Sequence, residues 1–268
     1  MNPAHVNLTA YGDVESLDRF TQESFRAYCD TKLRECDPEV ALLLKHCVNE
    51  RWQARVCEIG SGSSKLLYRL EKEGLLREGV GVEVSLSRHK FAEAFKTYAG
   101  SRHVQNIHGS FLDLQPLAGF DAVIAVDIVF QLIAPLFATA ESATLNWIWR
   151  SLRPGGYLLL ELRELKEIAA LFSASGQSEI RLWDRFPSPD PFEFCLSTIS
   201  LGPAGLVVWK KTFLRRGSSE RSQFEHVLKP YAPAEMIAAL QKAGFSSTVL
   251  LPGWAPETYV LLAERPHA

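Results

Sequence analysis

The chain has 268 residues, with 29 lysines and arginines against 31 aspartates and glutamates, a formal net charge of −2. Its length suits one α/β domain with additions and a sizeable core. The near-neutral balance, with no basic block longer than a pair, gives no electrostatic footprint for nucleic acid or an anionic membrane. The N-terminus lacks a basic segment followed by an apolar one, so no signal peptide is expected. The most apolar window, residues 122–140, is broken by Asp127, Gln131 and Pro135 and reads as strand plus helix, not as a membrane span. Cys29, Cys36, Cys47, Cys57 and Cys195 are odd in number and lack metal-type spacing. They are expected to be free thiols in a reducing, cytoplasmic setting, with no metal site.

Residues 1–50 read as helical, with one helix around residues 18–32 and a second starting at Pro38. Such helices either pack on a sheet edge or lie over a ligand mouth. Tyr11, in Ala10-Tyr11-Gly12-Asp13, is a candidate to reach the site, with packing as the plainer alternative. Residues 56–59 form a short apolar run suited to a buried strand, followed by the turn Gly60-Ser61-Gly62-Ser63-Ser64 and a helix from Lys65. The glycines let the main chain turn sharply and let a ligand approach it. Ser63 or Ser64 is expected to cap the helix, whose N-terminus presents N–H groups to an anion.

A second strand, residues 79–84, carries Glu83 at its end. There a doubly wound sheet places a ligand for ribose hydroxyls, and a carboxylate accepts two hydrogen bonds at once. Residues 103–108 and 120–127 give a third and fourth strand, the latter apolar between Asp121 and Asp127. A long helical region to Leu152, the turn Arg153-Pro154-Gly155-Gly156 and a fifth strand at residues 157–162 follow. This alternation predicts a mostly parallel sheet with helices on both faces.

With these residues in order, the chain resembles the class I S-adenosylmethionine-dependent methyltransferases. The likeness rests on Glu58-x-Gly60-x-Gly62, Glu83, Gly109-Ser110-Phe111, Phe120-Asp121-Ala122-Val123 and Leu152-Arg153-Pro154-Gly155-Gly156. It resumes over residues 231–236 and at Ala243-Gly244-Phe245. The resemblance implies a seven-stranded Rossmann-like sheet and S-adenosylmethionine as cofactor. Glu58, Gly60 and Gly62 would cradle the methionine end, with Ser61 in the same turn. Glu83 would hold the ribose, Val84 would pack beside adenine, and Ser110 and Phe111 would border the adenine edge. Three departures stand out. Ser64 occupies the place of a frequent third glycine, Ser110 that of a frequent aspartate, and Gln131 that of a histidine many small-molecule members carry.

Residues 173–231 form an addition before the last helix and strands, residues 232–268. Residues 183–192 are proline-rich and aromatic, read as an ordered loop. Runs at 193–201, 206–215 and 224–229 predict a three-stranded antiparallel meander, similar to the sheet that covers the acceptor in glycine- or sarcosine-type N-methyltransferases. The sequence thus divides into a helical cap (1–50), a cofactor-binding core (51–172), a lid insertion (173–231) and the closing elements of the core. Lys210, Lys211, Arg215 and Arg216 read as a solvated strand face.

For catalysis, Asp127 is placed to meet the methionine amino group or the acceptor, with a helix cap as the alternative. His226 is a lone histidine that reads as packed or surface, with a base as the sharper alternative; Glu161 and Arg163 point to the ligand edge or form a surface pair. The leading expectation is a methyltransferase acting on a small-molecule acceptor. A nicotinamide-dependent oxidoreductase and a non-catalytic protein that kept the fold are the alternatives. The acceptor atom and oligomeric state are not encoded in these motifs.

Overall fold

The computed structural model describes residues 7, 16–47, 53–254 and 257–267. Among the described residues, a short 3-10 turn (Leu17–Arg19) and two longer helices precede the sheet, α1 (Gln22–Glu35) and α2 (Asp37–Cys47). Thr21 starts α1, accepting the Ser24 N–H at 3.1 Å while Ser24 Oγ accepts the Thr21 N–H at 2.9 Å. The apolar side of α1 joins Phe25 and Tyr28, with Phe20 just before the helix, to Phe91 in an aromatic cluster with ring centres 5.0–6.2 Å apart.

The core continues with β1 (Ala54–Ile59), α3 (Lys65–Lys72), β2 (Leu76–Glu83), α4 (Leu86–Ala99), β3 (Val104–His108) and β4 (Phe120–Ala125). Next come α5 (Val129–Ile133), α6 (Ala140–Ser151), β5 (Leu152–Arg163) and α7 (Leu165–Ser175). The helical region after β4 is thus two helices separated around Pro135, a residue that lacks the N–H a continuous helix would need. The Pro-Gly-Gly turn lies inside β5 as an irregularity, because Phe120 pairs with Leu152 while Ala122 already pairs with Tyr157.

The chain then forms β6 (Glu179–Arg185), β7 (Phe192–Leu201), β8 (Val207–Arg215) and β9 (Arg221–Leu228). It closes with α8 (Pro233–Lys242), β10 (Ser247–Pro252) and β11 (Thr258–Glu264). One seven-stranded sheet has the order β10-β11-β5-β4-β1-β2-β3, parallel except for β11. Its buried strands are near-continuous apolar runs, as expected when helices cover both faces. The second sheet is antiparallel, β6-β7-β8-β9. It has four strands where the sequence predicts three. Residues 183–185, expected in a loop, pair with residues 194–196, and Trp183 is 65 % exposed on this edge strand. Backbone pairing with β7 holds β6 extended without an apolar face of its own, and so no alternation marked it.

No described helix is long and apolar enough to cross a membrane. Among the described residues, no group of three or more His, Cys, Asp and Glu side chains is placed to hold a metal ion.

Candidate active site

The chain runs from β1 outward to β2 and β3, then returns to β4 and β5 on the other side of β1. A crevice opens at that reversal, beyond the carboxyl ends of the strands. Its walls include Glu58 and Gly60 after β1, Glu83 and Val84 after β2, Ser110 and Phe111 after β3, and Asp127 after β4. Ser61 lines it too, so every sequence-predicted cofactor residue except Gly62 faces one cavity. Gly62 takes part through its backbone: its N–H donates to Glu83 Oε2 at 2.8 Å.

The turn after β1 is pinned to β2. Gly60 N–H and Ser61 N–H donate to the Val82 carbonyl at 2.8 and 3.2 Å. Gly60 has φ +64° and Gly62 +55°, a region that side chains rarely adopt. A Cβ on Gly60 would lie 2.6 Å from Val129, so the close approach of α5 also requires glycine. Ser64, in place of the frequent third glycine, holds φ +56° as well. It does not cap α3 with its side chain. Its hydroxyl donates instead to Asn106 Oδ1 at 2.8 Å and lies 3.2 Å from Ser61 Oγ. A serine at this conformation is held by polar partners on both sides, which a glycine would not need.

Glu83 is buried and accepts from Gly62 N–H and from Ser85 N–H, the latter at 2.7 Å. Each oxygen thus has one backbone donor and keeps a lone pair for a ligand hydroxyl. Glu58 is also buried, and its Oε2 has no hydrogen-bond partner. Burial pushes its carboxyl up to about 8 against the opposing pull of Lys65. An unsatisfied buried carboxylate oxygen in a crevice is matched by a ligand ammonium. The residues present therefore fit an adenosyl amino acid: a diol acceptor at Glu83, an ammonium acceptor at Glu58 and an open glycine turn between them.

Asp127 and Ile128 have φ +55° and +61°, a costly conformation for a β-branched residue, found where surrounding structure fixes a functional group. Glu161 fixes it here, accepting the Asp127 N–H at 2.8 Å. Glu161 is itself buried in β5, and burial pushes it up to about 7. Asp127 is not a helix cap, since Ile128 occupies the N-cap position of α5. Burial acts to raise its carboxyl, but Lys211, Lys65 and Arg88 together hold it below the ordinary carboxylate value.

The reading of Lys211 changes, and the alternatives for His226, packed or surface, and for Arg163 and Glu161 are narrowed. Lys211 is not on a solvated face: β8 alternates, so Lys210 points outward to Glu225 at 3.2 Å, while Lys211 shares the inner face with Trp209 and Phe213. His226 is not at the surface but 0 % exposed, opposite Trp209 in the β8–β9 pairing. Burial, with Lys211 nearby, drives its imidazole down to about 3. Arg163 and Glu161 do not pair with each other; Arg163 lies 3.9 Å from Glu257. Gln131 is fully buried, accepting the Arg163 N–H at 2.8 Å and donating to the Arg163 carbonyl at 3.0 Å. Tyr11 lies outside the described residues.

Sequence reasoning missed Asn7, Lys32, Lys65 and Arg88, all of which line the crevice. Asn7 donates to the carbonyls of Leu132 and Val227, both at 2.7 Å, and is thereby held at the site's rim. Lys65, the first residue of α3, was legible as a cation directly after the glycine turn; the others depend on tertiary approach.

The family model described as a methyltransferase domain matches residues 57–160. Solved structures agree over nearly the whole chain. An S-adenosylmethionine-dependent methyltransferase from Clostridium acetobutylicum superposes with a TM-score of 0.68 at 10 % identity, covering 92 % of this chain and 93 % of its own. The CcbJ methyltransferase from Streptomyces caelestis gives 0.67 at 16 % identity, covering 98 % of both chains. An amino pentose methyltransferase from Micromonospora echinaspora, solved with S-adenosylmethionine bound, gives 0.63 at 16 % identity, covering 92 % of this chain and 98 % of its own. At such identities the likeness establishes the fold, that of the class I methyltransferases. No curated protein matches the chain in sequence. The antiparallel β11 between β5 and β10 departs from the all-parallel dinucleotide-binding order.

Proposed function

We propose that the protein transfers a methyl group from S-adenosylmethionine to a small-molecule acceptor. The observation that carries this reading is the convergence of Glu58, the Gly60–Gly62 turn and Glu83 on one crevice, with a buried Glu58 oxygen left for a ligand. When bound, S-adenosylmethionine supplies a methyl group already activated on a sulfonium. The protein's task is then placement and exclusion of water, which contribute roughly 7–11 kcal/mol in favourable cases.

Glu83 holds the ribose hydroxyls with the lone pairs that Gly62 and Ser85 leave. Glu58 takes the methionine ammonium, and Lys65 faces the carboxylate from the start of α3. Val84, Ser110 and Phe111 enclose the adenine; Phe111 is fixed by an edge-on contact with Trp147, ring centres 5.2 Å apart. Asp127, kept ionised by its cationic neighbours and aimed by Glu161, orients the acceptor by charge-assisted hydrogen bonding. His226 is neutral near pH 7 and too weakly basic to take the acceptor's proton.

The β6–β9 sheet, which packs in one apolar group with Ile128 and Leu132 at the crevice wall, is assigned as the cover of the acceptor side and favours a small acceptor over a polymer, as does a net charge of −2. The amino pentose methyltransferase and a sugar N-methyltransferase among the similar structures support that class. Four buried cysteines outside any disulfide (Cys29, Cys36, Cys57 and Cys195) fit a reducing, cytoplasmic setting. The test is acceptor-dependent formation of S-adenosylhomocysteine across a panel of small amines and hydroxyl compounds. Turnover of at least one supports the reading; a protein that binds the cofactor but methylates none contradicts it.

A further inference from the structure

Beneath the lid sheet lies a group of hydrogen-bond donors that the cofactor reading does not use. Trp209 is 4 % exposed, and its indole Nε1 has no hydrogen-bond partner. Two cations flank the same ring: Arg163 Cζ is 4.8 Å from its centre and Lys211 Nζ 4.3 Å. Arg163 Nε is buried without a hydrogen bond, and its only ion pair among the described residues is the 3.9 Å approach to Glu257. Lys211 makes no ion pair within 4.0 Å among the described residues, although Asp127 is near enough to feel its charge. Its cross-strand neighbours, Ser197 and Phe224, carry no charge.

This cluster adjoins the crevice wall formed by Asp127, Val129 and Leu132 without itself lining the crevice. Trp209 packs in one apolar group with Ile128, the residue after Asp127, and Arg163 ends β5 at the ligand edge of the parallel sheet. Buried donors are almost always paired in folded proteins, and the unpartnered Trp209 Nε1 and Arg163 Nε next to a binding crevice mark what a ligand must bring. Three donors around one indole, two of them cationic, call for an anionic oxygen acceptor. A guanidinium and an ammonium placed together bind carboxylate or phosphate.

We propose that the methyl acceptor carries an anionic oxygen group, a carboxylate or a phosphate, which docks on Trp209 Nε1, Arg163 and Lys211 while its nucleophile faces Asp127. The proposal rests on the methyltransferase reading for the acceptor's role, but the anion site is tested without turnover. The full chain, labelled with nitrogen-15, is titrated with sodium acetate and separately with sodium phosphate, with sodium chloride as the ionic-strength control. The Trp209 indole N–H signal is identified by its loss in Trp209→Phe.

A saturable downfield movement of that signal with acetate or phosphate, absent with chloride and weakened about tenfold or more in Lys211→Met, is the expected result. Which of the two anions acts assigns the acceptor's group. No movement beyond the chloride control, or an equal response in Lys211→Met, overturns the proposal. Lys211→Gln serves as a second variant, and the remaining indole signals report whether either variant is folded. S-adenosylhomocysteine is added to the same samples. Its failure to bind would count against the methyltransferase reading while leaving the anion result standing, so the two failures are distinguishable.

Discussion

Replacing Glu58 by glutamine should stabilise the ligand-free protein and weaken cofactor binding at the same time. Burial lifts the Glu58 carboxyl from its ordinary 4.5 to about 8. A carboxylate whose folded value is raised binds its proton more tightly in the folded state. Wild-type stability from this group is therefore full below the unfolded value and falls as pH rises towards 8. At about 1.4 kcal/mol per pH unit, the ionised group costs at most about 5 kcal/mol by pH 8. Glutamine carries no charge, so Glu58→Gln should melt higher than wild type at pH 8, with the difference shrinking towards pH 5. Binding runs the other way. At pH 6 about 1 % of free Glu58 is ionised and at pH 8 about half, so affinity for S-adenosylhomocysteine should strengthen roughly 50-fold across that range if the ammonium needs the carboxylate. Glu58→Gln should lose this pH dependence and bind about 1.5–3 kcal/mol more weakly at pH 8. Thermal melts and titration calorimetry from pH 6 to pH 8 check both signs. An unchanged pH slope in the variant would refute the reasoning, as would a variant less stable than wild type at pH 8.

Glu83→Ala should weaken S-adenosylhomocysteine binding by about 1.5–3 kcal/mol, the worth of charge-assisted hydrogen bonds. An unchanged dissociation constant in calorimetry would show that the ribose is held elsewhere. Gly60→Ala forces a Cβ into Val129 at φ +64° and should cost about 1–3 kcal/mol in urea unfolding; a shift under 0.5 kcal/mol, estimated from ordinary surface substitutions as about that size, would mean the turn is slack. Gln131→Leu strips the Arg163 backbone of both side-chain partners. It should destabilise by about 2–6 kcal/mol, counting about 1–3 kcal/mol for each of the two orphaned groups, as measured by the urea midpoint at constant slope.

The parallel core was legible because its signals are local. Apolar runs of strand length, Gly60 and Gly62 after β1, and Glu83 ending β2 each follow from the residues themselves, and parallel topology brings those strand ends together. Glu58, Ser110 and Phe111 fell into place for the same reason. The second sheet was half legible. β7, β8 and β9 announce themselves, whereas β6 is extended only because β7 hydrogen-bonds it, and Trp183 on it stays exposed. Charge was read least well. Lys210 and Lys211 look alike in sequence, yet strand alternation puts one in water and the other under the lid. His226 gave no sign of its burial, because the aromatic strand it faces is contributed from 17 residues away in register with Trp209. Asn7 and Arg88 reach the crevice by tertiary approach, which no spacing encodes.

The most direct measurement is calorimetric titration of the full chain with S-adenosylhomocysteine, paired with NAD under the same conditions. The account predicts saturable one-to-one binding of the adenosyl amino acid, a rise in melting temperature on its addition and no heat with NAD. No heat and no thermal shift with S-adenosylhomocysteine, or binding of NAD in its place, would contradict it.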